Sequence, residues 1–211
     1  MRNYNVTIIQ KRGYTMYRLY LAAVDMLPGA IILLPVFLLL NWIYFHNTSK
    51  CVCYYLFSCY LSVVYVLVGM PNITYIRPEL NLNLIPVLGI LHDWKNSILN
   101  ILLFVPLGLF LPILWNRFRA PKATVLFGFG MSLVIELAQM LTFRATDVND
   151  LITNTLGSCL GYLGTTAFLR KHPLTVNGKM RELGIVLITV FLVMFFVYPF
   201  VSSALWDMVI S

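Results

Sequence analysis

The chain has 211 residues, 60% of them apolar and only 11% charged, whereas an ordinary soluble domain carries roughly 25% charged residues. So few charges cannot solvate a water-soluble fold of this size, and 14 Phe, 12 Tyr and 4 Trp give far too much apolar surface for a disordered chain. An integral membrane protein remains, and its formal net charge of +7 reads as membrane topology rather than affinity for nucleic acid, because basic residues collect in cytoplasmic loops.

In chain order, the first 21 residues, with Arg12, Arg18, Tyr14, Tyr17 and Tyr20, suit an interfacial helix. Arg2, Lys11, Arg12 and Arg18 precede an apolar stretch, as in a signal peptide. The stretch 26–45 is nevertheless of full spanning length and no small-residue cleavage pattern follows, so a retained helix is expected, accommodating Pro28 and Pro35. Runs free of Asp, Glu, Lys and Arg cover 26–45, 51–76, 96–116, 151–169 and 183–206, and a sixth run, 123–143, is interrupted only by Glu136. Each is long enough, at about 1.5 Å per helical residue, to cross a hydrocarbon core of roughly 30 Å. The run 80–91 is too short and carries two Asn and a Pro. The expected fold is therefore an all-α integral membrane protein, a bundle of about six transmembrane helices with a short re-entrant or interfacial segment before the third. Barrel strands would be shorter and alternating. The chain divides into an interfacial segment 1–21, two spans and the start of an outer loop over 22–79, and a four-span core over 80–211.

Charge sets the orientation. Arg117, Arg119 and Lys122 lie between spans three and four; Arg170, Lys171, Lys179 and Arg181, against Glu182, lie between five and six. Both loops should face the cytoplasm. Segments 71–95 and 143–150 then face outward, and by parity so does the N-terminus, leaving only Lys50 inside at the first turn. Either the first span is tilted, kinked or incompletely crossing, or the C-terminal loops dominate over the basic N-terminus, and the second reading is preferred.

With that orientation, Glu136 follows Lys122 by fourteen residues, about 21 Å along the helix and in the outer third of the bilayer. Gln139, at i+3, shares its face. A carboxylate at that depth is expensive unless it is paired or faces a wet cavity, so it marks either a functional site or a structural hydrogen bond between helices. Asp147, Asp150, Asn154, Gly157 and Gly161 are spaced 3, 4, 3 and 4 apart, one helical stripe with a polar upper part and a small-residue lower part. Gly157 and Gly161 form a small-xxx-small element for close helix packing. Asp147 and Asp150 also suit a capped helix start. Asn96 and Asn100 open span three on the same side, and Pro106 leaves a carbonyl one turn earlier without its N–H. Asn100, Glu136, Gln139, Arg144, Asp147, Asp150 and Asn154 thus define one extracytoplasmic polar pocket.

The runs that carry these residues resemble a known family. NLIP (83–86), Asn100 followed by FVPLG (104–108), SLVIELAQ (132–139) and ATDVNDLITNTLGSCLGY (145–162) are similar in order and spacing to the VanZ-like family from about residue 80 to 170, with a weaker similarity to about 205. Asn149 stands where many members carry an Asp. The resemblance makes 80–211 a VanZ-like core and implies a multi-pass protein of the bacterial cytoplasmic membrane, associated with antibiotic resistance through reduced susceptibility to teicoplanin or related lipoglycopeptides. It carries over Asn100, Glu136, Gln139, Arg144, Asp147, Asp150, Asn154 and Gly157.

Three functions fit. The first is non-enzymatic: the pocket binds a lipid-linked cell-wall precursor or the lipid tail of a lipoglycopeptide at the membrane surface. The second is an intramembrane enzyme acting on a polyprenyl-linked precursor or lipid, with Glu136 and Asp150 as candidate catalytic residues sharing acid and base roles. No nucleophile and base pair, HExxH or phosphate-binding glycine loop supports it. Glu136, Asp147 and Asp150 would suit calcium or magnesium if a metal were bound, although none is expected, nor any other cofactor. The third is a transporter with Glu136 as an ion site, disfavoured because no motif repeats between the halves. The expected partners are membrane lipids and such a lipid-linked or lipidated ligand, not nucleic acid. His46, His92 and His172 fall at separate boundaries and make no ligand set; Cys51, Cys53, Cys59 and Cys159 read as free thiols. Asn47-Thr48-Ser49 and Asn72-Ile73-Thr74 match a glycosylation pattern without meaning in a bacterium.

Overall fold

A computed structural model describes residues 24–78, 82–83, 94–142, 146–171 and 176–210. The expected interfacial segment 1–21, most of the expected re-entrant segment 80–91, and His92, Arg144 and His172 lie outside the described residues. Among the described residues, six long helices form an all-α bundle. They are α1 (Val24–Phe45), α2 (Thr48–Leu67), α3 (Trp94–Leu114), α4 (Pro121–Gln139), α5 (Val148–Lys171) and α6. The last runs Met180–Leu192, passes through a π-turn at Val193–Val197 and continues as Tyr198–Ile210.

Among the described residues, five helices, all but α5, are long and apolar enough to cross a membrane. With 24 residues α5 has the length, but Asn149, Asp150, Asn154, Ser158 and Thr165 dilute its apolar content. Its polar side chains are tolerable only because other helices cover them: Asn149, Asn154, Ser158 and Thr165 are all buried. In α1 the pattern is reversed, with Leu33 and Phe37 facing the bundle and Leu27, Ile31, Leu34 and Leu38 exposed along its outer side, as expected where the solvent is hydrocarbon.

The second helix is shorter than its uncharged run. It stops at Leu67 rather than near residue 76 because Gly69 takes φ 65°, and the Gly69 and Met70 N–H groups donate to Val66 O and Tyr65 O, each at 3.1 Å. This closure satisfies carbonyls that the helix end leaves open, and the left-handed conformation costs glycine little. The following loop is tied down by Ile73 N–H to Phe195 O at 3.1 Å and Arg77 N–H to Leu141 O at 2.8 Å.

The most intimate pair is α3 with α5. A Cβ on Gly161 would lie 2.1 Å from Val105 O, one on Gly157 2.3 Å from Ile101 O, and one on Gly108 2.0 Å from Ser158 O. The two backbones therefore touch, and glycine is the residue that permits it. Pro106 and Pro112 sit inside α3, and the carbonyl three residues before each accepts a hydroxyl from a neighbouring helix. Tyr60 of α2 donates to Leu103 O at 2.8 Å and Thr165 of α5 to Leu109 O at 3.2 Å. Neighbouring side chains thus repair the turns that proline disturbs.

One end of the bundle is basic. Gly178 N–H donates to Leu114 O at 2.8 Å and Lys50 Nζ to Asn177 O at 3.3 Å, which brings Lys50, Arg117, Arg119, Lys179 and Arg181 to the same end. Beneath them Glu182 Oε2 accepts from Lys179 N–H and Tyr54 hydroxyl, both at 2.7 Å, and pairs with Lys50 Nζ at 3.5 Å. Tyr54 stacks on Trp115 with centroids 5.4 Å apart, and Phe57 meets Trp115 edge-on at 5.5 Å. At the opposite end Trp206 Nε1 donates to Asp25 Oδ1 at 2.7 Å, so α1 starts where α6 finishes. The helices alternate in direction as parity requires. In a chain whose four cysteines are replaced, a single cysteine at position 48 is expected to be labelled only from the cytoplasm and one at position 5 only from outside. Labelling of position 5 from the cytoplasm alone would overturn the orientation.

Candidate functional site

At the end opposite the basic loops, α4 presents Ser132, Glu136 and Gln139 at i, i+4 and i+7, one face of a helix. All three are buried. This face meets the first turns of α5. Asn154 Nδ2 donates to Ser132 Oγ at 2.9 Å, and Gln139 Nε2 donates to the backbone carbonyl of Val68, just past α2, at 2.8 Å.

Asp147 does not continue the helical stripe, as its spacing suggested. It lies in a two-residue strand, β2 (Thr146–Asp147), paired in parallel with β1 (Leu82–Asn83) in the register Leu82 to Thr146 and Asn83 to Asp147. The helix begins one residue later, at Val148. The ladder takes up its backbone, and its carboxylate turns to the helix start: Oδ1 accepts Asn149 N–H at 2.8 Å and Asn149 Nδ2 at 2.7 Å. Asp147 caps α5, the structural role open to it from sequence. Glu136 anchors the same junction. Its Oε2 accepts Asp147 N–H and its backbone carbonyl accepts the Thr146 hydroxyl, each at 2.9 Å. Glu136 is therefore part of the scaffold as well as part of the cavity.

That cavity has a volume of about 810 Å³. Asn96, Ser97 and Asn100 enter it from α3, Glu136 and Gln139 from α4, and Asp147, Asn149, Asp150 and Asn154 from the start of α5. Leu67, Leu99 and Leu102 also line it; all three are largely exposed on the outside of the bundle, so the cavity has an apolar edge that opens sideways. A smaller apolar cavity of about 180 Å³ shares Val68 and Ile135 with it.

Six of the seven sequence-predicted pocket residues, Asn100, Glu136, Gln139, Asp147, Asp150 and Asn154, line this one cavity. Arg144 is outside the described residues. Gly157 and Gly161 lie below it, against α3. Sequence spacing missed Leu67, Val68, Ser97, Ser132 and Asn149. Ser132 could have been found, being four residues before Glu136; the Val68 carbonyl has no side-chain signal at all.

Among the described residues two buried side-chain oxygens stay without a partner, Gln139 Oε1 and Asn154 Oδ1. A buried acceptor left unmade costs about 1–3 kcal/mol. Among the described residues no group of three His, Cys, Asp or Glu is arranged to hold a metal ion, so Glu136, Asp147 and Asp150 do not form the divalent-ion set that an ion would need. Asp147 Oδ1 and Glu136 Oε2 each accept a backbone amide instead. No described His, Cys, Lys or Tyr lines the cavity.

Neither a curated protein nor a solved structure matches the chain. The VanZ/LLP1 family matches residues 37–169. This stretch begins inside α1, takes in α2 ahead of the motif-bearing helices, contains every described cavity residue and ends near the close of α5. It covers well over half of the sequence, and the chain belongs to the VanZ/LLP1 family, multi-pass membrane proteins associated with glycopeptide resistance.

Proposed function

We propose that the cavity faces outward from the bacterial cytoplasmic membrane and binds a lipid-linked cell-wall precursor or a lipoglycopeptide, thereby lowering susceptibility to teicoplanin or related drugs. The observation that carries this reading is the two-sided wall: amides and carboxylates from three helices on the inner side, and Leu67, Leu99 and Leu102 at a lateral edge. A water-soluble ligand has no use for an apolar edge open to lipid, whereas a lipid-anchored one can leave its tail there while its polar part is held inside. Family membership supports the link to resistance, and Glu136, Asp150 and Asn154 are the residues expected to carry it. Each replaced singly by Ala should cut binding roughly tenfold, the effect of about 1.4 kcal/mol, and lower resistance at matched expression. Unchanged resistance in all three would sink the reading.

A second reading, an intramembrane enzyme on a polyprenyl-linked precursor or lipid, has one observation in its favour: Glu136 and Asp150 line the same cavity. Two carboxylates in unlike surroundings can divide acid and base roles. Turnover of a labelled lipid-linked precursor by purified protein would establish catalysis over binding alone.

A further inference from the structure

The basic end of the bundle holds a second polar cavity. The turn joining α1 to α2 is locked there: His46 takes φ 47° and its N–H donates to Asn41 O at 2.9 Å, while Asn47 N–H donates to Asn41 Oδ1 at 3.0 Å. Asn47 Oδ1 in turn caps α2 by accepting Lys50 N–H at 2.9 Å. The start of α6 lies against this turn, and between them is a cavity of about 260 Å³, lined by Tyr44, His46 and Lys50 on one side and Lys179, Arg181 and Glu182 on the other.

The charges present make it positive. Lys50, Lys179 and Arg181 stand against Glu182, whose carboxylate is already taken by the Lys50 ammonium, the Tyr54 hydroxyl and Lys179 N–H. The chain has eight acids. Asp25 bonds Trp206, beside Asp207, at the opposite end; Glu136, Asp147 and Asp150 line the first cavity; Glu79 and Asp93 are chain neighbours of Arg77 and Trp94. Residues 1–23 and 172–175, outside the described residues, contain none. Two helix starts add to the field, α2 at Thr48 and α6 at Met180, each equivalent to roughly half a positive charge. Arg181 is fixed by its Nε–H donating to the Tyr44 hydroxyl and by its guanidinium lying 5.2 Å from that ring's centroid. Its terminal NH₂ groups remain for an oxyanion, which such a fork grips in bidentate fashion.

Depth in the membrane says where the oxyanion comes from. Trp42 and Ile43, in the last turn of α1, are 75% and 59% exposed, and tryptophan collects at the level of the lipid headgroups. We propose that this cavity seats the phosphate of an anionic phospholipid, held by Lys50, Lys179 and Arg181, with the acyl chains lying along α1 past Trp42 and Ile43. Basic pockets between spanning helices suit such headgroups. The site lies at the other end of the bundle from the ligand cavity and is independent of it.

The test uses the full chain, delipidated in a neutral maltoside detergent, with binding followed by native mass spectrometry. The probes are dioleoyl phosphatidylglycerol, dioleoyl phosphatidylcholine, oleate and glycerol 1-phosphate. Phosphatidylglycerol is expected to bind saturably, with the zwitterionic lipid, the carboxylate and the tail-less phosphate each at least about tenfold weaker. Lys179 and Arg181 are exposed, so replacing both, Lys179→Gln with Arg181→Gln, should weaken phosphatidylglycerol about tenfold at an unchanged melting temperature. The control, Arg117→Gln with Lys122→Gln, removes the same charge from the same end outside the cavity and should leave the affinity as it was. Equal weakening by the control, or an unchanged affinity in the Lys179 and Arg181 pair, would overturn the site in favour of a diffuse field. Equal binding of oleate would overturn the phosphate, equal binding of phosphatidylcholine the need for net negative charge, and equal binding of glycerol 1-phosphate the lipid anchor, giving the cavity to a soluble phosphate. Saturable binding of no probe would overturn the proposal outright.

Discussion

Gly161→Val is expected to cost the chain its folded state. The Cβ alone would sit 2.1 Å from Val105 O and 3.0 Å from Gly108 Cα, whereas a carbon and a carbonyl oxygen in favourable contact stay about 3.3–3.6 Å apart. The helices would have to separate by roughly 1 Å, and no flexible side chain is available to give way, because the obstructing atoms are backbone. Overpacking of this kind costs typically 1–3 kcal/mol even where neighbours can adjust, and here the displaced helices also carry Asn96 and Asn100 on one side and Asp150 and Asn154 on the other. Gly157→Val, facing Ile101 O at 2.3 Å, should behave alike. Gly130→Ala is the control: nothing lies within 4 Å of its Cβ, and the gain in helix propensity, up to about 1 kcal/mol, should leave the protein as stable or more so. Melting temperature and monodispersity after detergent extraction read all three variants; a Gly161→Val protein that extracts and melts like the parent would refute the seam.

Glu182→Leu is expected to be nearly as damaging, although the position looks like an ordinary loop acid. Its Oε2 collects three donors, the Lys179 N–H that starts α6, the Tyr54 hydroxyl of α2 and the Lys50 ammonium. Removing one partner of a buried, hydrogen-bonded pair leaves the others uncompensated and costs about 3–5 kcal/mol, discounted here because the Lys50 side chain is 22% exposed. Glu182→Gln keeps an acceptor for Tyr54 or Lys179 and should lose only part of that stability. The ordering parent, Gln, Leu in melting temperature is the expected result. Equal melting of the Leu variant and the parent would show the cluster to be decorative.

Much of the cavity was legible in the sequence because helical spacing is a rigid rule. Glu136 and Gln139 three apart, Asp150 and Asn154 four apart, and Asn96 and Asn100 four apart could only share faces, and a carboxylate inside an apolar run had to face something polar. The rest was hidden for identifiable reasons. Asp147 fitted the stripe by number, yet a two-residue ladder with Leu82–Asn83 took its backbone out of the helix, a long-range pairing that no local pattern encodes. The early end of α2 depended on one left-handed glycine within a run that carries no charge to mark a boundary. Glu182 reads in the sequence only as a loop charge, because two of its three partners lie far along the chain, 128 residues away at Tyr54 and further still at Lys50. The fifth span, 151–169, was counted by the absence of charge, but hydroxyls and amides lower the hydropathy of such a run, and α5 falls short of the apolar content of the other five helices.

The glycine seam has a consequence for motion. With backbone against backbone at Gly108, Gly157 and Gly161, α3 and α5 cannot slide or rotate past one another and behave as one stiff plate. That plate carries most of the cavity's amides. The fourth helix is tied to that plate through Ser132 and Glu136, whereas the end of α2 is held more lightly, by the Gln139 to Val68 bond and the Tyr60 to Leu103 bond. Widening of the cavity therefore belongs to α2 swinging against a fixed frame of α3, α4 and α5, and amide hydrogen exchange should be slowest along the frame and fastest around Leu67 and Val68.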